Sequence, residues 1–223
     1  MQEIEARFLN ISIKDTRKKL RDIGARRVHK PLLFERYVFE LPDSNIKGFV
    51  RIRSEGKKIT STIKIYKPNT NYPLEYELTL KNTLDEAKSY LEALGLKIKS
   101  YQQTIREKWR IDNCKELVID TVPGLPTYIE IECDSEKDLK DKIKKMNFDI
   151  KNATYGPYGR LFESYYGIPE KEFNQHVSSL TFKNIIKELH MIKKNKKMLL
   201  RLKDKHIKLF EHAKENLKNL LKK

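Results

Sequence analysis

Apolar positions alternate with charged or polar ones in short runs through most of the first 170 residues. Side chains along a strand alternate faces, so this period predicts strands over 2–9, 34–41, 48–54, 59–67, 74–80, 104–112, 115–122 and 126–133. Turn signals such as Leu41-Pro42-Asp43-Ser44, Ser54-Glu55-Gly56-Lys57 and Asp112-Asn113 separate them. Eight short strands, mostly joined by turns, favour an antiparallel sheet or barrel. Three stretches switch to helical spacing. Residues 14–23 place Ile13, Leu20 and Ile23 on one side and stop at Gly24. Residues 84–94 follow a capping box of Thr83 with Glu86 and stop at Gly95, and 136–146 follow Ser135 with Asp138 and carry Leu139, Ile143 and Met146. The helices before Gly24 and Gly95 are each followed by strands, which hints at an internal duplication.

After Gly167-Ile168-Pro169 the pattern changes. Phe182, Ile185, Ile186, Leu189 and Ile192 recur at helical spacing within 180–194, and Leu199, Leu202, Leu209, Phe210, Ala213, Leu217, Leu220 and Leu221 do so after Asn195. The chain is divided on this basis into a strand-rich unit, residues 1–169, and a basic helical extension, residues 170–223.

Charge sharpens the division. The formal net charge is +16, with 35% of residues charged and 39% apolar, and the extension alone carries 15 Lys and Arg against 6 Asp and Glu. The bland reading of the extension is a pair of amphipathic helices packed on the rest of the chain, on each other or across a homodimer, their lysines a solvated face. The alternatives are nucleic acid or another polyanion, and a membrane surface. The run Lys193-Lys194-Asn195-Lys196-Lys197 lacks the interleaved aromatics that would stack bases, and His206 and His212 read as surface histidines. No apolar run approaches the ~20 residues of a membrane span, and Met1-Gln2-Glu3-Ile4-Glu5 is no secretory leader, so a cytoplasmic chain is expected. Cys114 and Cys133 form no metal motif and are expected as reduced side chains in strands.

The strand parity carries the chemistry. Glu3, Glu5 and Arg7 share one face while Ile4, Ala6 and Phe8 share the other; Arg51 and Arg53 oppose Val50 and Ile52; Thr62 and Lys64 oppose Ile63 and Ile65; Glu75 and Glu77 oppose Tyr76 and Leu78. Arg106, Lys108 and Arg110 alternate with Ile105, Trp109 and Ile111, with Glu107 breaking the apolar series. Asp120 stands between Ile119 and Thr121, and Glu130 and Glu132 oppose Ile129, Ile131 and Cys133. Adjacent like charges on one face repel and are kept where opposite charge sits between them. If helices cover the apolar face, the charged face lines the inside of a curved or closed sheet. Dry burial of so many charges would cost several kcal/mol each, so this interior is wet and liganded. Carboxylates without Cys or His partners suit Mg²⁺ or Mn²⁺, and forked arginines suit phosphate oxygens. The chemistry indicated is metal-assisted handling of a phosphate chain.

These residues resemble a known family. Glu3-Ile4-Glu5-Ala6-Arg7 is similar to the N-terminal E-x-E-x-K signature of the CYTH superfamily, the triphosphate tunnel metalloenzymes, which include class IV adenylyl cyclases, thiamine triphosphatases and inorganic triphosphatases. The resemblance continues in order through Phe49-Val50-Arg51-Ile52-Arg53, Thr62-Ile63-Lys64, Leu74-Glu75-Tyr76-Glu77, Arg106-Glu107-Lys108-Trp109-Arg110, Ile119-Asp120-Thr121-Val122-Pro123-Gly124-Leu125 and Ile129-Glu130-Ile131-Glu132. It implies an α+β fold: an eight-stranded antiparallel β tunnel with helices outside, acids holding one or two divalent ions and bases gripping a triphosphate. Glu3, Glu5, Glu130 and Glu132 are the implied main metal ligands, with Asp120, Glu75 and Glu77 contributing to the ions or ordering water. Arg51, Arg53, Lys64, Arg106, Lys108 and Arg110 form the implied phosphate-binding set, and Glu3, Glu5, Arg7 and Lys64 the catalytic group. Arg7 departs from the signature's Lys, keeping the charge but losing the ability to act as a tunable acid.

Two reactions fit such a site. In one, a metal-activated water attacks the terminal phosphorus of inorganic triphosphate, thiamine triphosphate or a nucleoside triphosphate. In the other, the ribose 3′-oxygen of ATP attacks the α-phosphorus, giving cyclic AMP and pyrophosphate. Hydrolysis is preferred because no purine pocket is legible. A third reading is a non-catalytic binder of polyphosphate or of RNA 5′-triphosphate ends.

Overall fold

A computed structural model of the chain describes residues 4–68, 73–191 and 196–222. Its frame is one sheet built from β1 (Ile4–Phe8), β2 (Arg26–Phe39), β3 (Gly48–Ser54), β4 (Ile59–Ile65), β5 (Leu74–Leu80), β6 (Ile98–Ile111), β7 (Cys114–Thr121) and β8 (Tyr128–Cys133). The strands lie in the order β1-β8-β7-β6-β2-β3-β4-β5, all antiparallel, and a two-residue β9 (Ser179–Leu180) pairs with β6 in parallel. Helix α1 (Ile13–Asp22) follows β1 and α2 (Leu84–Ala93) follows β5. Exchanging β1–β4 with β5–β8 leaves the strand order unchanged when read from the other edge, which is the topological counterpart of the repeat hinted at before Gly24 and Gly95. The seam between the halves is the long β2–β6 pair.

The strands and helices predicted within residues 1–169 are present, with differences at their ends. β2 begins eight residues earlier than the alternation suggested and β6 six residues earlier. Among the described residues the sheet is not closed: β1 and β5 are its edges, so the closed tunnel that the resemblance implied is an open sheet here, the curved alternative that the charge pattern also allowed. Its outward face follows the predicted parity. Ala6, Phe8, Trp109, Leu117, Ile119, Ile129 and Ile131 pack under α1 and α3 (Glu136–Lys145) with Leu20, Leu139, Ile143 and Met146. Phe39, Val50 and Ile52 pack under α2. The out-of-pattern Glu107 is buried on this face, where Arg17 of α1 grips both carboxylate oxygens and Trp109 Nε1 donates at 2.9 Å.

Cys114 and Cys133, expected as reduced thiols, are joined in a disulfide. Regular β7–β8 pairing would set Cys133 opposite Lys115; a bulge between Cys114 and Glu116 brings the two cysteines into register.

The remaining helices are α4 (Tyr158–Tyr166), α5 (Glu170–His176), α6 (Ile185–Glu188) and α7 (Lys196–Leu221). The single helix expected over 180–194 is instead β9, the short α6 and a 3₁₀ turn over Leu189–Met191; Ile192 lies outside the described residues. α4, α5 and α6 share a core with Val122, Leu125 and Tyr128 at one end of the sheet. α7 crosses the β2–β6 seam, its Phe210 and Ala213 packing with Phe182 on Leu33 and Ile105. His206, expected at the surface, is buried on this inward stripe, where its Nδ1 accepts from the Gly124 N–H at 3.3 Å and burial holds its pKa down at about 4. His212 is exposed. Among the described residues no helix is long and apolar enough to cross a membrane.

Candidate active site

The concave face of the sheet encloses a cavity of about 460 Å³ to which all eight long strands contribute. Its walls carry Glu5 and Arg7 from β1, Arg51 and Arg53 from β3, Lys64 from β4, Glu75 and Glu77 from β5, Arg106 and Lys108 from β6, and Glu130 and Glu132 from β8. The strand parity read from the sequence therefore brings together most of the expected site residues. Arg110 is not among them; it is exposed at the end of β6, where the strand runs past the cavity. Asp120 is fully buried on the same face, beneath Arg106, and does not itself line the cavity, and Glu3 lies outside the described residues.

Register explains the grouping. Glu5, Glu132 and Glu116 are successive cross-strand neighbours on β1, β8 and β7, and Arg7, Glu130 and Val118 form the next row. Across the seam, Arg51 pairs with Thr62 and Thr62 with Glu77, while Lys64 pairs with Glu75. Acids and bases answer one another directly. Arg7 reaches Glu5 at 2.6 Å and also grips Glu130 and the Gly156 carbonyl. Arg106 binds both oxygens of Asp120 at 2.9 and 2.6 Å, Glu116 at 2.9 Å and Glu130 at 3.5 Å. Lys108 meets Glu116 at 2.5 Å, Lys115 meets Glu132 at 2.8 Å, and Arg53 is clasped by Glu55.

These pairs set the protonation states. Burial alone would lower the pKa of Arg7 and Arg106, but the facing carboxylates outweigh it and hold both well above the ordinary arginine value. Arg7 is thus held as a cation by Glu130 and Glu5. Burial would raise Glu116, yet Arg106 and Lys108 bring it down to about 2. Arg51 goes the other way: burial and the neighbouring Arg53 and Arg36 push it down to about 10, because Glu75 and Glu77 stand off at 3.5 and 3.7 Å.

Three groups of lining residues lay outside the sequence reading. Arg36 on β2 points into the cavity beside Val38. Glu116 and Glu55 supply the extra carboxylates that hold Arg106, Lys108 and Arg53. Residues 156–159 and Phe173, Asn174 and Val177 of the α4–α5 segment wall one side of the cavity. Glu116 shares the parity of Asp120, a signal that Val118 between them obscured.

With the geometry in place, the sequence matches the CYTH domain over residues 1–156. The chain belongs to the CYTH family. Solved structures with this CYTH fold include a protein from Pyrococcus horikoshii OT3, 20% identical, with a TM-score of 0.58 over 70% of this chain and 96% of that one. A conserved hypothetical protein from Pyrococcus furiosus is 23% identical, TM-score 0.56, over 70% and 97%. A protein from Vibrio parahaemolyticus, provisionally described as an adenylate cyclase, is 13% identical, TM-score 0.59, over 73% and 98%. At these identities the likeness shows the fold. No curated protein matches the sequence. The CYTH match ends at the residue whose carbonyl Arg7 holds, and the α4–α5 wall of the cavity comes from beyond it.

Among the described residues no three carboxylate, imidazole or thiol side chains converge as a ready-made metal cage. The donor chemistry nonetheless fits a hard divalent ion. Glu5, Glu132 and Glu116 are oxygen donors side by side on three strands with Glu130 adjacent, and neither histidine nor thiol lines the cavity.

Proposed function

We propose that this CYTH protein is a divalent-metal-dependent triphosphatase, hydrolysing the terminal phosphoanhydride of inorganic triphosphate, thiamine triphosphate or a nucleoside triphosphate. The observation that carries the reading is one cavity lined by both carboxylates and cations, with Glu5, Glu132 and Glu116 in one cross-strand row and Arg36, Arg51, Arg53 and Lys64 on β2, β3 and β4. In this reading Glu5, Glu132 and Glu116 hold Mg²⁺ or Mn²⁺ with Glu130, and Glu3 joins them as the family signature implies. The ion, when bound, supplies Lewis-acid neutralisation of phosphoryl oxygens. Arg51, Arg53 and Lys64 bind and orient the phosphate chain, their forked or pointed donors matching its oxygens. Arg106 and Arg7 hold the acids in place through direct ion pairs. Fixed cations around the phosphoryl oxygens stabilise charge in the transition state without reorganising at the moment of reaction.

A second reading keeps the site and changes the nucleophile to a ribose hydroxyl. It is favoured by the α4–α5 wall, where the half-buried Tyr158 ring and the exposed Asn174 amide border the cavity, an aromatic surface with a hydrogen-bonding edge of the kind a base stacks on. Phosphorus NMR separates the readings. With Mg²⁺ or Mn²⁺ and each of inorganic triphosphate, thiamine triphosphate and ATP, orthophosphate release identifies the hydrolase and ranks substrates. Pyrophosphate with a cyclic nucleotide identifies the cyclase, and binding without turnover identifies a polyphosphate binder.

A further inference from the structure

We infer that Arg36 binds a phosphoryl group of the substrate directly, sharing an oxygen with Arg51. The inference rests on the triphosphate reading above and adds to it a residue that lies outside the charged dipeptides. Arg36 is 4% exposed, lines the cavity and sits in register with Arg53 on one side and Gln102 on the other. One Nη donates to the Thr104 hydroxyl, and the guanidinium lies 5.5 Å from the centre of the Tyr158 ring. Among the described residues no carboxylate lies within ion-pair distance of it. Its Nε is buried without an acceptor, and so is the Nε of Arg51.

The other cavity arginines differ. Arg7, Arg53 and Arg106 each hold a carboxylate at direct hydrogen-bonding distance, whereas Arg51 has a hydroxyl at 3.0 Å, Thr62, and carboxylates no nearer than 3.5 Å. Arg36 thus has no carboxylate partner among the described residues, and Arg51 is answered only loosely, by Glu75 and Glu77 at 3.5 and 3.7 Å. A buried donor without an acceptor carries its full desolvation penalty, and adjacent guanidiniums add repulsion. Such an arrangement costs stability in the ligand-free protein and is relieved by an anion. A tetrahedral phosphoryl group, with several oxygens to accept from two forked donors, meets that need. Tyr158 and Thr104 hold the Arg36 side chain in place, so the α4 segment beyond the CYTH match takes part in substrate binding through it.

Arg36→Gln and Arg36→Lys in the full chain test this, using inorganic triphosphate as the probe in calorimetry and thermal unfolding, with and without Mg²⁺. A ligating role predicts that Arg36→Gln, ligand-free, melts at or above the wild-type temperature, while triphosphate affinity falls about ten- to a hundredfold, the range of one charge-assisted hydrogen bond. Arg36→Lys recovers part of that loss, and in turnover KM rises with kcat little changed. Unchanged triphosphate affinity in Arg36→Gln overturns the inference and leaves the triphosphate reading standing. So does a lowered melting temperature with unchanged affinity, which would make Arg36 a packing residue. A wild-type chain that binds no triphosphate overturns both.

Discussion

Replacing Glu116 by Gln isolates the electrostatic grip that holds the carboxylate row together. Glu116 lies between Arg106 at 2.9 Å and Lys108 at 2.5 Å, and its pKa falls from 4.5 to about 2. A fall of about 2.5 units at ~1.36 kcal/mol per unit corresponds to about 3 kcal/mol of stability, and solvent screening of a partly wet cavity wall reduces this to about 2 kcal/mol. Because the folded value is depressed, the contribution is complete above about pH 4.5 and is lost as the pH falls towards 2. Urea unfolding of wild type and Glu116→Gln at pH 7 and pH 3 measures it. The predicted difference is about 2 kcal/mol at pH 7, roughly a 1 M shift in midpoint for a slope near 2 kcal/mol/M, and less than half of that at pH 3. A difference of the same size at both pH values would refute the ionic account and point to packing.

Three other outcomes follow from the same contacts. Arg17→Ala leaves Glu107 buried on the outer face with the Trp109 N–H as its remaining hydrogen-bond donor, and a loss of about 2 kcal/mol is expected in thermal unfolding, the exposure of Arg17 discounting the value for a buried pair. The same variant should keep wild-type kcat, because this pair lies behind the sheet; a collapse in kcat without a loss of stability would contradict that placement. In the proposed site a bound phosphate chain adds oxygen donors for the ion beside Glu5, Glu132 and Glu116. Mn²⁺ should therefore bind about 5- to 150-fold more tightly with a non-hydrolysable triphosphate analogue than without it, and equal affinities by calorimetry would count against the shared cavity.

Much of this was legible in the sequence, and the exceptions have physical causes. Strict alternation exposed the inward faces of β1, β3, β4, β5 and β8, where one parity is uniformly charged. It failed on β2: Phe34, Val38, Tyr37 and Phe39 are apolar on both parities, because this central strand packs against α2 and α7 on one side and lines the cavity on the other, so Arg36 did not stand out. The bulge that aligns Cys114 with Cys133 is a local slip that no periodicity announces. His206 was legible in principle, since it falls on the stripe of Leu199, Leu202, Phe210 and Ala213, but its place depends on where α7 docks. Closure of the sheet came with the family resemblance, the charge pattern having allowed a curved or a closed sheet; mutual pairing of acids and bases, together with the α4–α5 wall, serves the charged face with β1 and β5 left as edges.

The division of labour between the carboxylate row and the cations of β2, β3 and β4 is tested most directly by crystals grown with Mn²⁺ and a non-hydrolysable triphosphate analogue, with the ion located by anomalous scattering. Manganese is expected against Glu5, Glu132 and Glu116, and phosphoryl oxygens against Arg36, Arg51, Arg53 and Lys64. Manganese elsewhere, or an analogue seated on the lysines of α7 with the cavity passed over, would contradict it.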